Sequence, residues 1–242
     1  MAKVIARASI ITGRASYSDS LMVRDLLDAG ERVVVLNNLS TGHECAVDRH
    51  VAVVRGDLAD IPLIKAHGVE YGISDIIHFV GSIAVPQSAE GSLRYYANNT
   101  AASHNLIEAA VHAGVKYILS STVPVYGVAN LDPVREETQF SSISLHDRSR
   151  PLSGITLADV AATHRLKFGA LRYFSVAGAD PKGWNGTSTH NATHFINVAC
   201  QAALGIRERV EVLGTGYPTP DGACQRCYTQ RWLARSGFRA DG

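Results

Sequence analysis

Two groups of residues in this 242-residue chain combine types and spacings that suit chemistry. The first is the stretch ITGRASYSDSL, residues 11–21, which follows an apolar run and precedes a helical pattern. A glycine-rich turn in that setting brings backbone N–H groups and a helix N-terminus against the diphosphate of a dinucleotide. Here Gly13 is the lone glycine of the turn, and Asp19 stands where the phosphate arrives. A carboxylate suits a helix start, but it opposes a phosphate. Two unit charges about 4 Å apart repel by about 4 kcal/mol at an effective dielectric of about 20. That is roughly a thousandfold in affinity. Arg14 offers a partial offset as a phosphate partner. The second group is His190-x3-His194 with Cys224-x2-Cys227, which are zinc-ligand spacings. A single CxxC is weak evidence, and no metal is expected.

The elements that must hold these residues alternate in type. Val4 to Thr12 reads as a buried strand, Ser20 to Ala29 as a helix stopped by Gly30, and ERVVVLNN (31–38) as a second strand. Its unbroken Val/Leu run is typical of a parallel sheet covered on both faces. Val51–Val54, SDIIHFVG (74–81), Val115–Ser120 and part of FGALRYFSVAG (168–178) supply four more strands. Between them lie a short helix at Ile61–His67, a long one within Leu93–Gly114, and another ending near His164. This alternation predicts an α/β fold, a doubly wound, Rossmann-like parallel sheet, with ligands at the carboxyl ends of its strands. After Gly178 the pattern changes to a turn-rich connection, a helix near His194–Leu204, and a short strand, VEVLG. The expected division is therefore 1–178 for a dinucleotide-binding domain and 179–242 for a truncated substrate-binding subdomain. RWLARSGFRADG at the end reads as a loose basic tail.

Composition narrows the classes further. Hydrophobic residues at 46% and charged residues at 19% permit a large core. A formal net charge of +1 without a basic, aromatic stripe argues against nucleic acid. No apolar run reaches membrane-spanning length, and Lys3 and Arg7 interrupt any signal-like core. Four cysteines in this length suit a reducing cytoplasm.

Several phrases together resemble the UDP-glucose 4-epimerase family, NAD-dependent members of the extended short-chain dehydrogenase/reductase group. They are VVVLNNLSTGH (33–43), GDLAD (56–60), DIIHFVGSIAVPQS (75–88), LRYYANNTAAS (93–103), SSTVPVYG (120–127), LRYFSVAGADPKG (171–183) and GTGYPTPDG (214–222). The resemblance runs from about Ile10 to Tyr228. It implies an isomerase of galactose and nucleotide-sugar metabolism, with NAD as cofactor and a UDP-sugar as substrate. In that family a tyrosine takes the proton of the sugar 4-hydroxyl while hydride passes to NAD. The keto sugar then turns over, and hydride returns to its other face. A lysine four residues on lowers the tyrosine pKa, and a serine or threonine bridges to the hydroxyl.

Carried over residue by residue, the family's cofactor contacts fall on Gly13, Tyr17, Ser18, Asn37, Asn38, Asp57, Leu58, Phe79, Val80, Gly81, Asn98, Arg150 and Phe174. Substrate contacts fall on Thr122, His146, Ser175, His194, Phe195 and Arg226. Thr122, His146 and Arg150 take the catalytic positions. Several of these depart from the family pattern. Ser16 and Asp19 replace two fingerprint glycines. Asn37 replaces the acidic residue on the ribose and loses its charge-assisted bonds. His146 and Arg150 replace the Tyr/Lys pair. An imidazole is a capable base near neutral pH, but it is shorter than a phenol, and about 1 Å of misplacement costs on the order of a hundredfold. Pro151 follows at once, and a proline inside a helix costs about 3 kcal/mol. The expectation is a broken helix there, with His146 on a loop. The family's two long pairing helices imply a homodimer through Leu93–Gly114 and a helix after Pro151. Function thus divides between an impaired epimerase, a non-catalytic epimerase-like binder of nucleotide or partner, and an inactive remnant.

Overall fold

The computed structural model describes residues 7–13, 17–39, 47–79, 93, 96–127, 134–141, 145–172, 174–180, 182–183, 186, 194–212, 214–223 and 228–230. Six strands form one parallel sheet in the order β3-β2-β1-β4-β5-β6. They are β1 (Ala8–Thr12), β2 (Arg32–Asn37), β3 (Ala52–Arg55), β4 (Ile73–Phe79), β5 (Lys116–Ser120) and β6 (Phe168–Leu171). Helices connect them: α1 (Tyr17–Asp28), α2 (Ile61–Tyr71), α3 (Ala102–Ala113) and α4 (Leu145–Thr163). The strand order reverses between β1 and β4, and ligands bind such sheets at the crevice there.

Side chains alternate along each strand, and each face meets its own layer. Ile10, Val34, Leu36 and Ile76 pack with Leu106, Ile107 and Ala110 of α3 and Leu157 of α4. Their neighbours Ile11, Val33, Val35, Ile77 and Phe79 pack with Met22, Val23 and Leu26 of α1. That period of two, serving two apolar layers, is why these strands read as continuous hydrophobic runs. Glycines close the helices with left-handed backbone, Gly72 after α2 at φ 64° and Gly114 after α3 at φ 65°. Asp60 caps α2 by accepting from the Leu63 N–H at 3.0 Å.

Apart from α4, four sequence expectations change. The helix expected at Ile61–His67 continues to Tyr71. The long helix before Gly114 is not uniform, because a wide π turn at Ala97–Ala101 precedes α3. The Phe168–Gly178 stretch holds two strands, since β7 (Ser175–Ala177) leaves the main sheet and pairs with β8 (Tyr228–Gln230). Residues 210–212 and 214 of VEVLG are not in a strand. β1 begins at Ala8, with residues 4–6 outside the described residues. The short α5 (Phe195–Ala203) lies near the expected position, with His194 at its N-cap.

The largest correction concerns α4. The expected break at Pro151 does not occur: the helix runs from Leu145 to Thr163 with Pro151 inside it. A proline removes one helical hydrogen bond, to the carbonyl four residues back. Contacts from a distant element offset that loss. Asn99 Nδ2 donates to Ser149 Oγ at 3.1 Å, Thr100 Oγ1 to the Ser149 carbonyl at 3.1 Å, and Ser153 Oγ to the Asn99 carbonyl at 3.1 Å. Ser149, Ser153 and Asn99 are all buried, so these bonds form away from water. The π turn of residues 97–101 therefore clasps α4 on both sides of the proline.

Candidate dinucleotide cleft

Gly13 follows β1, Asn37 ends β2, Asp57 follows β3, Phe79 ends β4 and Thr122 follows β5. All five stand at the carboxyl edge of the sheet, as the sequence reading requires. α1 begins at Tyr17 and carries Asp19 in its first turn. Asp19 does not project into solvent. It is 4% exposed, and a methyl placed on Gly13 would lie 2.7 Å from Asp19 Oδ2 and 3.0 Å from Phe79 Cβ. The glycine is needed here because the Asp19 carboxylate and the Phe79 Cβ close over its Cα. Among the described residues, the chain's own buried carboxylate is thus what lies beside the Gly13 Cα.

Asn37 is also engaged. Its Nδ2 donates to the Gly13 carbonyl at 2.6 Å, and its Oδ1 accepts from the Leu39 N–H. These bonds tie β2 to the turn after β1 and hold Leu39 at a left-handed φ of 53°. Asn38 Nδ2 donates to Asp57 Oδ2 at 3.0 Å, and Asp57 Oδ1 accepts from the Ala59 N–H at 2.9 Å. Leu58 is half-buried against the core, and its carbonyl accepts from Asn105 Nδ2 at 3.3 Å. The loop after β3 is therefore tied to β2 and to α3.

Thr122 is the extended residue before a 3-10 turn at Val123–Tyr126. The turn is held from outside. Ser141 N–H donates to the Val125 carbonyl at 3.0 Å, and Arg172 Nη1 donates to the Tyr126 hydroxyl at 2.5 Å and the Glu136 carbonyl at 2.8 Å. The Arg172 guanidinium also lies 5.0 Å from the Phe140 ring centroid. Gly127 permits this packing. Its φ is 66°, and a Cβ there would sit 1.9 Å from the Ser141 carbonyl oxygen.

His146 and Arg150 both belong to α4, four residues and so one turn apart. The expectation of a loop at His146 is thereby corrected, for the reason given for Pro151. Tyr17 starts α1, and its hydroxyl donates to the Gly178 carbonyl just beyond β7. Ser18 is half-buried on α1, while Asn98 lies in the π turn and is exposed. Phe174 is 41% exposed beside β7, which contains Ser175. His194 is exposed, and Phe195 is 61% exposed. Val80, Gly81, Arg226, Arg14, Ser16, His190, Cys224, Cys227 and the tail 231–242 lie outside the described residues. Among the described residues no group of three or more metal-ligating side chains assembles, and no helix is long and apolar enough to cross a membrane.

The sequence reading passed over His78, Asn99 and Ser149, each 0% exposed and hydrogen-bonded. A histidine inside the apolar run DIIHF was the available signal, because a fully buried strand position tolerates a polar ring only when it is paired. Asn99 and Ser149 gave no such signal, since both sit among polar neighbours.

A doubly wound parallel sheet with its candidate residues gathered at the β1/β4 crossing defines a dinucleotide-fold α/β protein. Residues 9–223 match the NAD dependent epimerase/dehydratase family, and the chain belongs to that family. It is 41% identical over 220 residues to a UDP-glucose 4-epimerase from Azospirillum brasilense, covering 90% of this chain and 63% of that protein. The structure of UDP-glucose 4-epimerase from Brucella ovis in complex with NAD aligns with a TM-score of 0.90 at 34% identity, over 96% of this chain and 72% of that one. The enzyme from Stenotrophomonas maltophila, with NAD and formylated UDP-arabinopyranose, aligns with a TM-score of 0.90 at 29% identity, over 96% of this chain and 72% of that one. The chain thus spans about two thirds of the length of such relatives. NAD is the cofactor that the family and these structures call for.

Proposed function

We propose that this chain is a UDP-glucose 4-epimerase by descent whose hold on NAD, and with it the interconversion of UDP-glucose and UDP-galactose, is strongly impaired. The observation that carries the reading is Asp19, buried against Gly13 at the crossing of β1 and β4. An incoming diphosphate must displace that carboxylate or lie beside it, and the repulsion estimated above is roughly a thousandfold in affinity. Asn37 adds to the loss, because its amide already bridges Gly13 and Leu39. When bound, NAD supplies the hydride acceptor for the sugar C4. The chain's own part is to orient the sugar hydroxyl with Thr122 and to take its proton with the base position, His146, one helical turn from the fixed positive charge of Arg150. The unbroken α4 supports this arrangement of positions. The shorter imidazole and the anion-repelling turn argue for little turnover.

The same reading places residues 1–178 in the nucleotide domain and 179–242 in a partial sugar-binding segment. It also places the protein in the cytoplasm, as a homodimer through the faces of α3 and α4. Calorimetric titration of purified protein with NAD tests it directly. Wild-type protein should bind only in the millimolar range, and Asp19→Gly should tighten binding by about two to three orders of magnitude. Micromolar binding by wild-type protein would overturn it. His146→Tyr with Arg150→Lys should give no epimerisation unless Asp19→Gly is added. If even the triple variant binds no NAD at millimolar concentration, the chain is a partner-binding protein or a remnant.

A further inference from the structure

A buried polar chain runs through the sheet that neither the cofactor nor the substrate reading uses. His78 of β4 is 0% exposed, and its ring meets Thr12 on one side and Ser103 on the other. Proton directions in this chain can be worked out from its far end. Ser103 Oγ donates to the Asn99 carbonyl at 2.6 Å, which commits its one hydroxyl proton. The 3.0 Å contact between His78 Nε2 and Ser103 Oγ then requires the proton on Nε2. Nδ1 is left as an acceptor, and Thr12 Oγ1 donates to it at 2.6 Å. The Tyr117 ring meets the imidazole edge-on, 6.1 Å between centroids at 65°, and fixes its plane. From Asn99 the chain continues to Ser149 and Ser153 on α4.

We propose that His78 is a positioning residue, a neutral imidazole protonated on Nε2 that ties the end of β1, next to the Gly13 turn, to the π turn that clasps α4. Its two ends set the distance between the dinucleotide turn and the helix carrying positions 146 and 150. The meaning of those two places rests on the function proposed above, but the linkage does not. The chain joins residues 66 and 50 apart in sequence, so its links form only in the folded protein.

The test uses the ten histidines of the full chain, labelled with nitrogen-15, in the absence of NAD. One imidazole should show the neutral Nε2–H pattern, a slowly exchanging ring proton and no titration from about pH 5 to 8. Thr12→Val should shift that signal and the amide signals of residues 149, 150, 152 and 153, and Thr12→Ser should restore both. His78→Gln should abolish the signal. An Nδ1–H pattern, titration with the exposed histidines, or α4 amides that ignore Thr12→Val would each overturn the proposal, whatever the outcome of the NAD titration.

Discussion

The six-stranded sheet and the segment from Phe174 onward are both rich in apolar residues, yet among the described residues the first buries them and the second leaves them largely exposed. In the sheet, Leu106, Leu119 and Leu157 are each 0% exposed. In the later segment α5 has no buried residue, and Leu204, Ile206 and Val212 are 74%, 70% and 76% exposed. Its β7–β8 pair is three residues long and stands apart from the main sheet. An apolar pattern is enough to set a helix or strand, but burial needs a complementary face. β1 and β2 have one on each side, and α5 has none among the described residues.

Truncating the two regions should expose this contrast. Leu106→Ala should cost about 2–5 kcal/mol in chemical denaturation, because cutting the fully buried isobutyl group back to a methyl leaves a cavity. Leu204→Ala should change stability by no more than about 0.5 kcal/mol. A loss of several kcal/mol at Leu204 would mean that the later segment has a core of its own.

Polar groups in the sheet region should behave like its core. Asn99→Ala removes the buried Nδ2 donor to Ser149 Oγ and should cost about 1–3 kcal/mol, while the Asn99 carbonyl that Ser153 donates to is kept. Denaturation midpoints should fall accordingly. Ser175→Ala in the β7–β8 pair should be nearly silent. Pro151→Ala should stabilise by about 1 kcal/mol: the relieved helix cost of about 3 kcal/mol exceeds about 1.6 kcal/mol of lost ring burial. Destabilisation by that change would mean that the ring, more than the Asn99 clasp, holds α4.

The smallest expected effect is a pH comparison between two aspartates. Asp48 is held below the ordinary carboxylate range, chiefly by the His50 backbone N–H, with burial opposing and His50 and Arg24 assisting. Its salt bridge to Arg24 at 2.7 Å anchors the start of the β3 segment on α1. A lowered folded pKa means the contribution is whole above the ordinary value and is lost as pH falls through the lower folded one. Asp221 is lowered too, chiefly by the Ala223 backbone N–H and next by the Thr219 hydroxyl. Its partners lie within its own exposed turn. Hydrogen exchange between pH 5 and pH 3 should therefore loosen residues 47–50 against α1, while acidification of Asp221 should affect residues 217–223 alone.

Much of the fold was legible in the chain, because parallel strands, their intervening helices and the glycines that stop them are written in local runs. Gly30, Gly72 and Gly114 end their helices in left-handed backbone, and two of the three were marked by position alone. The family phrases likewise placed Asn37, Asp57, Phe79 and Thr122 at strand ends, and the turn after the first strand placed Gly13. Reading failed where the deciding partner is far away. Pro151 looks like a helix breaker to its neighbours, and only Asn99 and Thr100, some fifty residues back, reverse that. His78 looked like part of a strand, until Thr12 and Ser103 gave each of its nitrogens a task.

The sequence by itself determined the order of the six sheet strands with their helices and the family, since these depend on period and on short motifs. Only the tertiary structure decided that Asp19 folds in over Gly13, that α4 survives its proline, and that a polar chain crosses the core. Each of those outcomes is settled by desolvated contacts between distant segments, whose energies outweigh the local preference of any one residue.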